Sequence, residues 1–297
     1  MTAPVLPGKG FSDFRAYLER VGFAFEDRPH QVFLARSGKL VVSLYESGKV
    51  VIAGKDRRLE REVRWYLEKL GAKGEPSPAR LEAVRGRLRV GTDEAGKGDY
   101  FGPLVVAAVL LGPGAEERMR VLGVKDSKRM SDGRVAELAP LVRRAAGAGR
   151  WEVLRIDPPT YNRLHEEMGD QNAVLAWAHA RLIGNLLAAH PDCRLAVVDE
   201  FSAASLRRAL LGRGRDIEVV QSPGGERDQA VAAASVLARA EFLERLEALG
   251  AQFGMEFPKG ASGVEGAARE LLRAGGEGRL GLVAKLHFRT TQKVLGP

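Results

Sequence analysis

Residues 91–111 read GTDEAGKGDYFGPLVVAAVLL. Two adjacent carboxylates, Asp93 and Glu94, follow a short apolar lead-in of Leu88 and Val90 and precede a Gly96-Lys97-Gly98 turn. After Gly102-Pro103 the run of Leu, Val and Ala is too apolar and β-branched for anything but a buried strand. The pattern predicts strand, acidic glycine-rich corner, strand. Carboxylates hold hard cations such as Mg²⁺, while open glycine backbone and lysine can approach a phosphate, so the corner points to metal-assisted phosphate chemistry. Adjacent residues on a regular strand face opposite ways. The strand is therefore expected to end or bend between Asp93 and Glu94 if both serve one site.

A competing motif uses the same residues. Gly91 to Lys97 fits G-x-x-x-x-G-K, the opening of the phosphate-binding loop of nucleotide hydrolases. Three features oppose it: Gly98 stands where such a loop needs a Ser or Thr hydroxyl, two carboxylates would sit inside the phosphate cradle, and a strand follows instead of a helix.

The chain has 297 residues, 45% hydrophobic and 28% charged, a composition that suits one or two globular domains. The first ten residues are short and broken by Pro and Gly, unlike a signal peptide, and no apolar run has the length of a membrane span. A single Cys193 excludes an internal disulfide and a Cys-based zinc site, and the five His show no ligand spacing. The expectation is a cytoplasmic protein whose metal, if any, sits on oxygen. Net charge is +8. Residues 1–80 hold 15 Lys and Arg against 10 Asp and Glu, whereas 81–297 hold 31 against 28. More than half of the basic excess thus lies in about a quarter of the chain. A basic excess suits a nucleic-acid partner, although surface Arg also serves solubility alone.

Taken in order, Ser12 is placed to cap a helix whose apolar face is Phe14, Tyr17, Leu18 and Val21, ended by Gly22. Strands are expected over 32–36, 40–45 and 50–53, the last two joined by a hairpin, and a helix with Leu59, Val63, Tyr66 and Leu70 on one face. The Gly- and Pro-bearing stretch 71–80 reads as a linker. Beyond it, strands are expected at 104–111, 151–156, 195–198 and 217–220. They alternate with helices at 131–146, 171–190, 202–211, 231–249 and 261–274, giving a mixed sheet with helices on both faces. Asp199 ends the strand LAVVD, at the sheet edge where α/β sites form, or it caps the next helix. Asp228 opens the helix QAVAAASVLAR and is equally placed to be only an N-cap.

GTDEAGKGDYFGPLVVAAV, VKDSK at 124–128, VVDEF at 197–201, DQAVAAASVLAR at 228–239, PKGAS at 258–262 and KLHF at 285–288 occur in this order. Together they resemble bacterial ribonuclease HIII, of the type 2 ribonuclease H family. Lys97 followed by Asp99-Tyr100-Phe101, where ribonuclease HII carries glycine-arginine-glycine and a Pro-rich stretch, favours HIII. The resemblance implies an α/β, ribonuclease H-like mixed sheet with flanking helices over 87–297. It also implies a linker at 73–86 and a small α+β, TATA-binding-protein-like substrate-binding domain over 1–72. The four catalytic, metal-holding acids would fall on Asp93, Glu94, Asp199 and Asp228, with two Mg²⁺ or Mn²⁺ ions.

The same resemblance puts Gly96, Lys97 and Gly98 against the nucleic-acid backbone, and Ser127 and Lys128 on phosphate. The activity implied is hydrolysis of the RNA strand of RNA/DNA hybrids, leaving 3′-hydroxyl and 5′-phosphate ends, with no membrane and no obligate protein partner. Two other classes stay open at this point: a hybrid-binding protein without catalysis, which would not need all four acids, and the nucleotide hydrolase above.

Overall fold

The computed structural model describes residues 4–28, 31–46, 48–70, 72, 84–199, 217–222 and 227–296. The chain divides into two compact units, Met1–Ser77 and Pro78–Pro297. The helix expected at 202–211 and most of the stretch 71–80 lie outside the described residues.

In the first unit, β1 (Ala24–Glu26), β2 (Gln31–Ser37), β3 (Leu40–Tyr45) and β4 (Val50–Gly54) form an antiparallel sheet in that order. One sheet face buries Phe33, Ala35, Leu40, Val42, Leu44 and Val50. They pack with Phe14 and Leu18 of α1 (Phe11–Arg20) and Val63 and Leu67 of α2 (Arg57–Lys69). Leu40, Val42 and Leu44, two residues apart along β3, are fully buried, the period-two pattern that lets one face be apolar. The expected Ser12 cap is not used: α1 begins at Phe11, with Gly10 as its N-cap and no side-chain cap bond, so Ser12 lies inside the first turn. Gly22 ends the helix as expected, at φ 86°, with the Phe23 amide donating to the Leu18 carbonyl.

The second unit is built on β5 (Arg89–Ala95), β6 (Leu104–Leu111), β7 (Trp151–Ile156), β8 (Leu195–Asp199) and β9 (Glu218–Ser222). Their order is β7-β6-β5-β8-β9, antiparallel across the first two pairings and parallel across the last two. The helices are α3 (Pro113–Val121), α4 (Asp132–Ala146), α5 (Pro158–Met168), α6 (Gln171–Ala189), α7 (Gln229–Phe253), α8 (Glu265–Gly281) and α9 (Arg289–Leu295). Alternation along β6 divides the core. Val105, Ala107, Val109 and Leu111 pack with α4 and α7, while Leu104, Val106, Ala108 and Leu110 pack with α6.

Alanines dominate α7 because it lies almost on the sheet. A Cβ added to Gly91 would meet the backbone of Ala230 at 2.2 Å and of Val231 at 2.3 Å. Helices α3 and α5 are absent from the sequence expectation. Each starts on Pro, which reads as a breaker but suits the first helical turn, where no N–H bond is lost. Helix α8 starts at Glu265, later than the expected 261, because Gly260 and Gly263 take φ of 82° and 72°. Val84, within the expected linker 73–86, packs with Leu195, Val197, Val220 and Val231 and so belongs to the second unit's core.

Candidate active site

Strand β5 carries both carboxylates at its C-terminal end, and it does not break between them. Asp93 pairs with Ala107 and Glu94 with Val106 in one continuous ladder that runs to Ala95. The expected bend comes after the pair, at Gly96 with φ 85°. Asp93 and Glu94 consequently leave opposite faces of the sheet. Asp93 lies on the α7 side, within reach of the Ser235 hydroxyl, and Glu94 lies on the α6 side, against His179. Asp93 is 4% exposed, and its Oδ1 accepts a 2.8 Å bond from the Glu94 amide.

Their protonation differs for physical reasons. Burial, then the neighbouring Glu94 charge, pushes the Asp93 carboxyl up to about 8, against the smaller opposing effect of the Lys128 cation. Burial also works against the Glu94 charge, but His179 and Lys97 outweigh it and hold that carboxyl down to about 2. One charge is well accommodated here, and the second needs a cation.

Asp199 reaches the same edge through strand register. Val90, Gly91 and Thr92 of β5 pair in parallel with Ala196, Val197 and Val198 of β8. One step further along both strands, the Asp199 backbone stands beside that of Asp93. The Asp199 side chain lies outside the described ones.

Asp228 stands toward the other end of β5, beside Arg89. It is the N-cap of α7: Oδ1 accepts from the amides of Ala230 at 2.9 Å and Val231 at 3.4 Å. Oδ2 accepts a 2.7 Å bond from Nε of Arg89, a fully buried residue whose Nη1 bonds Glu116 at 2.9 Å. Helix α7 runs alongside β5, so Asp228 sits beside Arg89 while Ser235, two turns on, sits beside Asp93. Asp93 lies four steps along the strand from Arg89, about 13 Å at the rise of a β-strand. An Asp that both caps a helix and neutralises a buried guanidinium has its oxygens committed. Among the described residues, no three His, Cys, Asp or Glu side chains converge as a cation site.

The two glycines that suggest a nucleotide loop have packing reasons instead. Gly91 lies under α7, and a Cβ on Gly96 would meet the Pro103 carbonyl oxygen at 2.1 Å. Gly98 is exposed with open space where a Cβ would be, so of the three turn residues it offers backbone to a ligand. Lys97 Nζ lies 3.4 Å from Glu94 Oε1, and its carbonyl accepts a 3.0 Å bond from the Gln171 amide of α6.

Ser127, expected on phosphate, is 7% exposed and turned inward. Its hydroxyl lies 2.6 Å from that of Ser235, and its amide donates to the same oxygen at 3.1 Å. Asp126 caps the short 3-10 turn by accepting from the Lys128 amide at 3.1 Å, which leaves Lys128 exposed near Asp93. Downstream, the buried Lys285 ammonium donates to the carbonyls of Asp99 at 2.8 Å and Gly102 at 2.7 Å and fixes the loop that follows Gly98. Sequence inspection passes over Arg89, His179 and Ser235. Ser235 is a single polar residue in an Ala-rich run and His179 lies in the apolar stretch of α6, a faint signal of a buried polar contact, whereas Arg89 follows Arg85 and Arg87 and carries no such signal.

A mixed β7-β6-β5-β8-β9 sheet with an acidic pair ending its central strand defines a class, and the ribonuclease HII family model matches residues 90–291. Ribonuclease HIII of Chlamydia trachomatis is 38% identical over 298 residues, covering 96% of this chain and 94% of that protein. The Protochlamydia amoebophila ribonuclease HIII is 34% identical, covering 94% and 91%. Among solved structures, Bst-RNase HIII in complex with Mn²⁺ is 32% identical, covers 99% of this chain and 97% of that one, and superposes with a TM-score of 0.68. The chain belongs to the ribonuclease HIII family and is a ribonuclease H enzyme.

Proposed function

We propose that the protein hydrolyses the RNA strand of RNA/DNA hybrids, using divalent cations held by Asp93, Glu94 and Asp199, to leave 3′-hydroxyl and 5′-phosphate ends. The observation that carries this reading is the buried acidic pair at the end of β5, with Thr92 and Val198, the residues just before Asp93 and Asp199, paired in register. A carboxyl pushed up to about 8 ionises readily only beside a cation, and an all-oxygen donor set suits Mg²⁺ or Mn²⁺. The Mn²⁺ complex of Bst-RNase HIII agrees with that donor chemistry. Two such ions would supply an activated water and neutralise charge on the phosphoryl and leaving oxygens.

The chain's own residues divide the remaining work. Lys97 exchanges its Glu94 partner for a phosphate oxygen, the exposed Lys128 meets a neighbouring phosphate, and the open backbone at Gly98 meets the 2′-hydroxyl that separates RNA from DNA. Asp228 supports the fold by capping α7 and balancing Arg89. No described helix is long and apolar enough to cross a membrane. An enzyme with this substrate would work in the cytoplasm, beside the nucleic acid.

The deciding experiment offers an RNA/DNA hybrid and a DNA duplex containing one ribonucleotide, with and without Mg²⁺ or Mn²⁺. Metal-dependent cuts in the hybrid support the reading. Binding without cleavage would assign the protein to hybrid binders, and phosphate release from free nucleotide would return the nucleotide-hydrolase reading.

Lys97→Ala should raise KM for the hybrid while Mg²⁺ affinity stays within a factor of about two, because an ammonium donates to phosphate and ligates no cation. Calorimetry in which Mg²⁺ binding collapses and hybrid binding survives would reverse that role.

The first unit carries the denser basic excess, and we assign it to substrate binding. Removing residues 1–77 is expected to leave kcat similar and raise KM markedly, the mark of lost uniform binding. The salt dependence of binding should become shallower, by about 0.9 in log–log slope for each phosphate that the truncated protein no longer engages, a value taken from B-DNA. An unchanged KM and slope in a folded truncation would give this unit another task.

A further inference from the structure

We propose that His179 is a positioning residue that fixes the Glu94 carboxylate for cation binding, its ring oriented in turn by the Thr92 hydroxyl. This rests on the assignment of Glu94 as a cation ligand. His179 lies on α6 and is fully buried. Its Nδ1 is 2.8 Å from Thr92 Oγ1, and its Nε2 faces Glu94 Oε2 at 3.3 Å, an approach looser than a full hydrogen bond.

The strand period makes the arrangement possible. Thr92 and Glu94 are two residues apart on β5, so both point to the α6 face and one imidazole spans them. Asp93, between them, points to the other face, toward the Ser235 hydroxyl.

The proton positions follow from donor chemistry. An ionised carboxylate only accepts, so the nitrogen facing Glu94 carries a proton. With that proton on Nε2, Nδ1 can accept from the Thr92 hydroxyl, which gives Thr92 a direct role in holding the tautomer. The two Glu94 oxygens are thereby divided: Oε2 is held by His179 inside the fold and Oε1 lies 3.4 Å from Lys97 Nζ at the surface. Without the imidazole, the carboxylate is free to swing wholly onto Lys97, which disturbs the cation ligand and the substrate lysine together. Partners that orient metal-ligating carboxylates typically account for about 10–100-fold in metal affinity or activity.

The test titrates the full-length protein with Mn²⁺ alone by calorimetry and measures hybrid cleavage against Mn²⁺ concentration. The variants are His179→Ala, His179→Gln, Thr92→Val and Glu94→Gln. His179→Ala should weaken Mn²⁺ binding by about 10-fold or more with KM for the hybrid little changed. His179→Gln, whose amide nitrogen can donate to the same oxygen, should recover most of the loss. Thr92→Val keeps the shape and removes the hydroxyl, and should weaken Mn²⁺ binding several-fold in a variant that still folds, with some loss of Tm from the unsatisfied buried Nδ1.

If His179→Ala does not fold, the Thr92→Val result decides, and normal Mn²⁺ binding there overturns the proposal. Equal losses in His179→Ala and His179→Gln that track Tm would reduce His179 to packing. Should Glu94→Gln bind Mn²⁺ normally, the assignment of Glu94 itself fails. If only Glu94→Gln loses Mn²⁺, that assignment stands and the role of His179 falls.

Discussion

Asp93→Asn is expected to lower kcat on an RNA/DNA hybrid by at least about 100-fold, the scale of removing a central electrostatic group from an active site, with hybrid affinity retained. Asn keeps the shape and the acceptor oxygen that takes the Glu94 amide, so the corner itself should survive. Without a cation the Asp93 carboxyl, pushed up to about 8, is already mostly neutral at pH 7, so the neutral amide should leave Tm little changed. The measurement pairs single-turnover cleavage at saturating Mn²⁺ with a binding isotherm for the same hybrid. A folded variant that cuts at near wild-type rate would remove Asp93 from the chemistry.

Asp228→Ala should give the opposite signature. The change leaves the fully buried Arg89 without its Oδ2 partner and the first turn of α7 without its cap. Breaking a buried ion pair from one side costs about 3–5 kcal/mol; because Arg89 keeps Glu116, the loss should lie toward the lower end, with about 1 kcal/mol more for the lost N-cap. For a unit of this size the loss corresponds to a fall in Tm of roughly 10 °C or more. Mn²⁺ affinity in whatever folds should stay near wild type. A variant with unchanged Tm and abolished Mn²⁺ binding would return Asp228 to the cation site, and the contrast with Asp93→Asn separates the two roles in one set of measurements.

The difference between these two acids marks what local sequence can carry. Both stand in blocks that resemble the family, and both are plausible at the level of residue type. Asp93 is assigned by its neighbours in the chain: an apolar lead-in, a second acid and a glycine turn. Asp228 carries two meanings, cap and ligand, and the choice depends on Arg89, 139 residues away, which no local pattern connects to it.

The same separation holds for the glycines. Gly91 and Gly96 spell part of a nucleotide loop in sequence, but their missing Cβ atoms make room for the α7 backbone and the Pro103 carbonyl. Ser127 likewise has a partner no local pattern announces: Ser235, 108 residues later, meets both its hydroxyl and its amide.

Sequence by itself determined the elements whose signal is repeated along the chain. The five strands of the second unit and the apolar helices α4, α6 and α7 were legible because burial imposes a period of two or of about 3.6 on successive residues. The antiparallel pairing of β5 with β6 followed from the short acidic corner between them. What only the tertiary structure decided were the contacts between residues distant in sequence. It set the side of the sheet from which Asp93 and Glu94 leave, the strand neighbour that brings the Asp199 backbone to them, the pairing of Asp228 with Arg89, and the imidazole of His179 against Glu94. The physical reason is range: periodicity records which face of an element is dry, whereas the partner across a buried polar contact is fixed by packing, which leaves one solitary residue on each side and no repeating pattern.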